Sequence, residues 1–131
     1  MSFLKLNKAK LFFRKIIKKA FVLRGHPHKM GYVDRVRITT PRKPNSAKRK
    51  TVRVLYYHYI KKSISYVPGG YSNLKRNFKV LVRGRGPRDT PGVYTSCIRG
   101  RFDLIPLYRK SKRRSIYGIK KILYNKDYLY S

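Results

Sequence analysis

Val33-Asp34-Arg35-Val36-Arg37-Ile38-Thr39 leads through Thr40-Pro41-Arg42-Lys43-Pro44-Asn45-Ser46-Ala47-Lys48-Arg49-Lys50 into Thr51-Val52-Arg53-Val54-Leu55-Tyr56-Tyr57-His58-Tyr59. The outer runs alternate with the period of two that marks a strand. In the first, Val33, Arg35 and Arg37 oppose Asp34, Val36 and Ile38. In the second, Val52, Val54 and Tyr56 oppose Arg53, Leu55 and Tyr57. The segment between them is basic and carries two prolines, so it reads as a loop. Three further short runs follow, at residues 63–67, 78–83 and 94–99. Pro68-Gly69-Gly70 ends the first of these, and residues 84–92 separate the last two with a stretch too rich in Gly and Pro for a regular element. Five short strands with no long helix between most of them predict a mainly β fold, a five-stranded Greek-key barrel of the OB type. Closing the barrel removes sheet edges and needs only a small core. The loop joining strands one and two is a habitual nucleic-acid contact in that fold.

The flanks divide the chain into residues 1–24, an N-terminal helical extension, residues 25–106, the barrel, and residues 107–131, an extended basic C-terminal tail. Ala9, Phe12, Phe13, Ile16 and Ala20 recur at helical spacing, with Lys8, Lys15, Lys18 and Lys19 between them. This predicts an amphipathic helix whose apolar face packs on the body while its lysines meet phosphate. Transit peptides are also amphipathic and acid-poor, but scarce serine and the lack of an early arginine run speak against one. Gly25-His26-Pro27-His28 breaks the helix. In the tail, the run Tyr108-Arg109-Lys110-Ser111-Lys112-Arg113-Arg114-Ser115 cannot build a core and repels itself, which predicts ordering by a partner. A helical turn or two is expected near residues 119–123.

Charge identifies the kind of partner. The 131 residues hold 35 Lys plus Arg against 4 acids, a formal net charge of +31. The acids are Asp34, Asp89, Asp103 and Asp127. A free compact chain with this charge repels itself, and a polyanion relieves it by releasing condensed counterions. An anionic membrane is the competing partner, but no charge-free run reaches the roughly 18 apolar residues of a spanning helix. The cations are spread over the whole length, so nucleic acid is favoured and no membrane partner is expected. Paired carboxylates, a P-loop and a Ser-His-Asp pattern are all missing, so the chain is not expected to be an enzyme. His26, His28, His58 and Cys97 are too scattered for a metal site, and no cofactor is expected. Cys97, the one cysteine, reads as a buried apolar thiol in a strand. Tyr56, Tyr57 and Tyr59 either stack on bases or fill the core, and alternation places one face of that strand inside.

The loop itself carries chemistry. Pro41 and Pro44 fix two backbone angles and reduce the entropy lost on ordering. Asn45 and Ser46 both donate and accept hydrogen bonds, which suits an RNA minor groove with its 2′-hydroxyls and base edges. Lys43, Lys48, Arg49 and Lys50 suit backbone phosphates around such a contact. The longer string, from Arg35-Val36 through Thr40-Pro41-Arg42-Lys43-Pro44-Asn45-Ser46-Ala47 to Arg49-Lys50, resembles the signature of the universal small-subunit ribosomal protein S-twelve family. Tyr66-Val67-Pro68-Gly69, Asn73-Leu74, Val80-Leu81-Val82-Arg83-Gly84, Arg88-Asp89, Pro91-Gly92-Val93, Cys97-Ile98-Arg99-Gly100, Arg114-Ser115 and Tyr117-Gly118 follow in the family's order. The resemblance covers about residues 25–121, and motifs of this length in register are far more specific than a lone short pattern.

The resemblance implies an OB-type barrel with extended ends, set at the decoding centre of the small subunit. The partners it implies are small-subunit rRNA, the nearby codon–anticodon helix of mRNA and tRNA, and neighbouring small-subunit proteins, with no homo-oligomer. On it, Arg42, Lys43, Pro44, Asn45, Ser46, Lys48, Arg49 and Lys50 contact rRNA at the decoding centre, as does a second loop containing Arg88, Asp89, Pro91 and Gly92. Arg83, Arg85, Arg99, Lys110, Lys112, Arg113 and Arg114 are the expected phosphate contacts. Asp89, flanked by Arg85 and Arg88, is expected to form a salt bridge that orders its loop; the matching aspartate of bacterial relatives can be chemically modified.

The chain departs from the family pattern at Gly69-Gly70-Tyr71-Ser72-Asn73-Leu74, where Gly-Glu-Gly-His-Asn-Leu is usual. It departs again at Gly84-Arg85-Gly86-Pro87-Arg88-Asp89, where Gly-Gly-Arg-Val-Lys-Asp is usual. His26 and Val33 stand where many bacterial relatives carry cysteines. A surplus of Tyr, Ile, Lys, Phe and Asn suits an AT-rich coding genome and, with the organelle-like Cys97-Ile98-Arg99-Gly100, points to a mitochondrially encoded gene and a small ribosomal subunit in the mitochondrial matrix. The competing function is a free-standing OB-fold RNA chaperone that stacks bases on strand aromatics. A cationic membrane-active protein ranks below both.

Overall fold

The computed structural model describes residues 23, 25–57, 61–108 and 110–120. Strands β1 (His28–Thr39), β2 (Arg49–Tyr56), β3 (Lys61–Tyr66), β4 (Lys79–Gly84) and β5 (Thr95–Ile98) close into one barrel in the order β1-β2-β3-β5-β4. All neighbours are antiparallel except β3 and β5, which run parallel. This is the five-stranded OB-type barrel that the alternating runs predicted.

β1 closes the barrel because it serves two partners. His28 to Tyr32 pair with β4, and Tyr32 to Thr39 pair with β2. The strand therefore begins at His28, five residues before the alternating run, because its first residues are held by β4 and need no hydrophobic period of their own. Gly31 lies where β1 crosses close to β2: a Cβ there would stand 2.5 Å from Val54 Cγ1 and 2.9 Å from the Leu55 carbonyl oxygen. A bulge between Val33 and Arg35 shifts the phase. Val33 is buried and Val36 packs against the same core, although simple alternation sets them on opposite faces. Asp34, at the bulge, reaches Arg53 at 3.6 Å and Lys62 at 3.5 Å.

The interior is filled mainly by branched side chains that suit a pleated surface. Val33, Val52, Val54, Tyr56, Val67, Leu74, Val80, Val82, Cys97 and Leu104 form one cluster. Val52, Val54 and Tyr56 all point inward, as their spacing required. The Tyr56 hydroxyl meets the Ser63 hydroxyl at 3.1 Å, and burial raises its pKa. Cys97 lies in β5 as a free buried thiol, pushed up to about 12 by desolvation. Between β3 and β4 the chain runs irregularly. Leu74 plugs the core there, and the Asn77 N–H donates to the Val33 carbonyl at 2.7 Å.

After β5 the chain returns to the barrel and ends in a short helix, α1 (Arg114–Tyr117), capped by Gly118 in the left-handed region at φ 71°. The expected helical turn near residues 119–123 thus falls earlier: Ile119 and Lys120 are not helical, and the rest of that stretch lies outside the described residues. So does the predicted N-terminal helix, apart from Leu23, which is buried. The Leu107 N–H donates to the Tyr117 carbonyl at 3.1 Å. Gly118 sits on the backbone of Arg99, where a Cβ would stand 2.8 Å from the carbonyl carbon and oxygen.

Arg99 corrects the sequence reading. It is only 2% exposed. Its Nε donates to the Pro68 carbonyl at 2.5 Å, one terminal nitrogen donates to Ile105 at 2.9 Å, and the other donates to Tyr71. The guanidinium is spent on three carbonyls inside the fold and is not presented to phosphate. Desolvation lowers its pKa.

Candidate nucleic-acid interface

The interface is built from two loops at one pole of the barrel. The β1–β2 loop springs from the last rung of the ladder, Thr39 against Arg49, with the Thr39 hydroxyl donating to the Arg49 carbonyl at 3.3 Å. Arg49 thereby has a fixed base. Within the loop, the Asn45 N–H donates to the Arg42 carbonyl at 3.0 Å, closing a tight turn around Lys43 and Pro44. The peptide bond between those two residues is cis. Arg42, Lys43, Pro44, Asn45, Ser46 and Lys48 are all exposed, while Arg49 and Lys50 are half-buried at the base.

The β4–β5 loop is joined to this turn through one residue. Arg49 donates to Asp89 Oδ2 at 2.7 Å, and Asn45 Nδ2 approaches the same oxygen at 3.5 Å. The Thr90 hydroxyl donates to Asp89 Oδ1 at 3.1 Å. The Arg42 N–H donates to the Asp89 backbone carbonyl at 2.8 Å. The salt bridge expected to order the loop around Asp89, flanked in sequence by Arg85 and Arg88, is present. The partner is Arg49, forty residues away, so the bridge orders two loops together. The Arg49 hydrogen bond holds the Asp89 carboxyl below its usual range, and the same bond raises the Arg49 pKa. With Asp89 ionised, the pair is a charge-assisted clasp.

All three acids among the described residues are engaged internally: Asp34 with Arg53 and Lys62, Asp89 with Arg49, and Asp103 with the Lys79 N–H at 2.6 Å. The remaining cations at this pole are therefore uncompensated. Arg88, Pro91 and Gly92 are exposed beside Asp89, and Arg83 and Arg85 are exposed at the end of β4. Lys110, Lys112 and Arg113 are exposed in the tail and Arg114 is half-buried in α1. Ser115 and Ile116 share a small cleft with Arg83, which places α1 beside β4. The structure thus brings the two loops together and sets the short helix that follows the basic run beside β4 and β5.

Two features escaped the sequence. Tyr94, which the sequence pattern assigns to the start of the fifth strand, lies exposed just before it at the edge of the β4–β5 loop. Arg99 shares the inward face with Cys97 two residues earlier, and that alternation was the available sign of its burial. Of the tyrosines considered for stacking, Tyr56 is in the core, Tyr57 is exposed with its ring edge-on to Tyr32, and Tyr59 lies outside the described residues.

Fold and charge together define a strongly basic OB-barrel protein with two clasped loops. Residues 16–121 match the family Ribosomal protein S12/S23. Over 95 residues the chain is 46% identical to the small ribosomal subunit protein uS12m of Paramecium tetraurelia, covering 72% of this chain and 68% of that protein. The chain belongs to the ribosomal protein S12/S23 family and is a structural protein of the small ribosomal subunit, of the mitochondrial type.

Proposed function

We propose that this protein binds small-subunit rRNA of the mitochondrial ribosome and supports decoding accuracy at the aminoacyl-tRNA site. The two clasped loops carry that role, and Asp89 is the observation that supports it most. By holding Arg49, Asn45 and the Arg42 backbone at once, it makes the Pro44-Asn45-Ser46 tip part of one preordered surface. A preordered polar tip buttresses RNA bases in a closed arrangement without reading their sequence. Correct pairing at the codon–anticodon helix then favours that arrangement by about 1–3 kcal/mol, the usual size of a coupling between sites. Arg83, Arg85, Lys110, Lys112, Arg113 and Arg114 supply phosphate contacts around it. Tyr56 is buried and cannot stack on a base, and exposed Tyr57 meets Tyr32 edge-on, which favours the ribosomal reading over the chaperone one.

The test is reconstitution of small subunits with Lys43→Ala or Pro44→Ala chains. Both assemble, and both change the rate of misreading at near-cognate codons. Unaltered fidelity in fully assembled subunits would rule the decoding role out.

A further inference from the structure

Beside the clasp lies a cleft of about 720 Å³ lined by Arg42, residues 84–88 and residues 90–94. Its volume falls within the range of roughly 300–1,000 Å³ typical of small-ligand sites. Its walls are largely apolar, with Pro87, Pro91 and Val93 among them, and exposed Tyr94 stands at its edge. Arg42, Arg85 and Arg88 line it as well, and among the described residues none of the three pairs with an acid.

Arg85 is held at φ 76°, in the left-handed region that favours glycine. The structure fixes it there: the Ser96 hydroxyl donates to its carbonyl at 2.7 Å, and the Gly86 N–H donates to the Tyr94 carbonyl at 3.0 Å. Gly86 cannot take a side chain, because a Cβ would run into the Val93 carbonyl. The two positions therefore differ: Gly86 is required by packing, whereas Arg85 carries a strained side chain where glycine is the easier choice. Strain of this kind collects at sites where a side chain has an external task.

We infer that this cleft seats one unstacked nucleotide of an RNA strand, its base against Tyr94 and the proline walls and its flanking phosphates at Arg42, Arg85 and Arg88. An aromatic edge next to guanidinium groups is the arrangement that takes a splayed-out base together with its backbone. Charge count favours a strand over a free mononucleotide, since three guanidinium groups match more than one phosphate. This seat rests on the rRNA-binding reading and narrows it to one nucleotide beside the clasped loops.

The experiment is photocrosslinking of the full chain to a 5′-phosphorylated trinucleotide with 4-thiouridine at its centre, at moderately high salt, followed by peptide mapping. The crosslink is expected within residues 84–94. Tyr94→Ala should lower its yield about tenfold, in keeping with the worth of one stacked base. Arg85→Gly should lower it several-fold while the melting temperature stays level or rises, because glycine relieves the left-handed backbone. Crosslinks spread over the chain, yields unmoved by either substitution, or equal labelling by a 4-thiouridine mononucleotide would each overturn the seat. Co-sedimentation of the same variants with the small subunit reports separately on the rRNA reading: retained co-sedimentation with a failed crosslink removes the cleft alone, and loss of co-sedimentation by the unaltered chain removes both.

Discussion

The chain fastens distant segments together twice, by opposite physical means. At the loop pole, Arg49 and Asp89 meet at 2.7 Å in partial contact with solvent. On the tail side, Arg99 is buried and gives its guanidinium to the carbonyls of Pro68, Tyr71 and Ile105. The first clasp joins an anion and a cation that water solvates well when they separate, so it orders a surface while contributing little to global stability. The second commits a buried guanidinium to the carbonyls of three separate segments, so its loss strands those contacts and is felt by the whole fold. A strongly cationic chain can thus use arginine for architecture in one place and for surface organisation in another.

Replacing Arg99 should have the larger effect. Arg99→Leu leaves three carbonyls without a donor, and the expected cost is about 3 kcal/mol or more of unfolding free energy. Arg99→Lys keeps the charge without the planar fork and should recover only part of it. Denaturant unfolding of the full chain measures both. Equal stability of Arg99→Leu and the unaltered protein would erase the distinction between the clasps.

Acid should reveal the smaller effect. The folded Asp89 pKa lies below its ordinary value, so the stabilisation it gives is complete above the normal carboxylate range, near pH 4, and is lost as pH falls through the depressed value. Hydrogen exchange at the Arg42 and Asn45 amides should therefore accelerate in that acid window, beyond the intrinsic pH dependence, while the barrel amides of β2 stay protected. Asp89→Asn should show the faster exchange already at neutral pH. Uniform loss of protection across loop and barrel would mean that the loops are not a separable unit.

The barrel was legible in the sequence because its signals are local. Val52, Val54 and Tyr56 declare their face by spacing alone, and Pro68-Gly69-Gly70 and residues 84–92 mark where strands stop. The bulge at Asp34 was not legible, since an inserted residue changes phase without altering composition. The first segment of β1 was hidden for a related reason: its pairing with β4 is a tertiary fact. The loop residues stood out through their prolines, short polar groups and charge. Their connection to Asp89 did not, because nothing in a list of arginines says which one the fold carries to an acid forty residues away. The inward turn of Arg99 is hidden for the same reason. In a chain with 35 basic residues, charge alone does not separate the few that turn inward from the many that face out.

The central claim, that Asp89 and Arg49 make the two loops act as one surface, is tested most directly by a double-mutant cycle. Small subunits reconstituted with Arg49→Met, with Asp89→Asn and with both changes are compared for misreading at near-cognate codons. If the clasp is what each residue contributes, either single change should shift fidelity as far as the pair together. Full additivity, with the double variant showing the product of two independent effects, would contradict it.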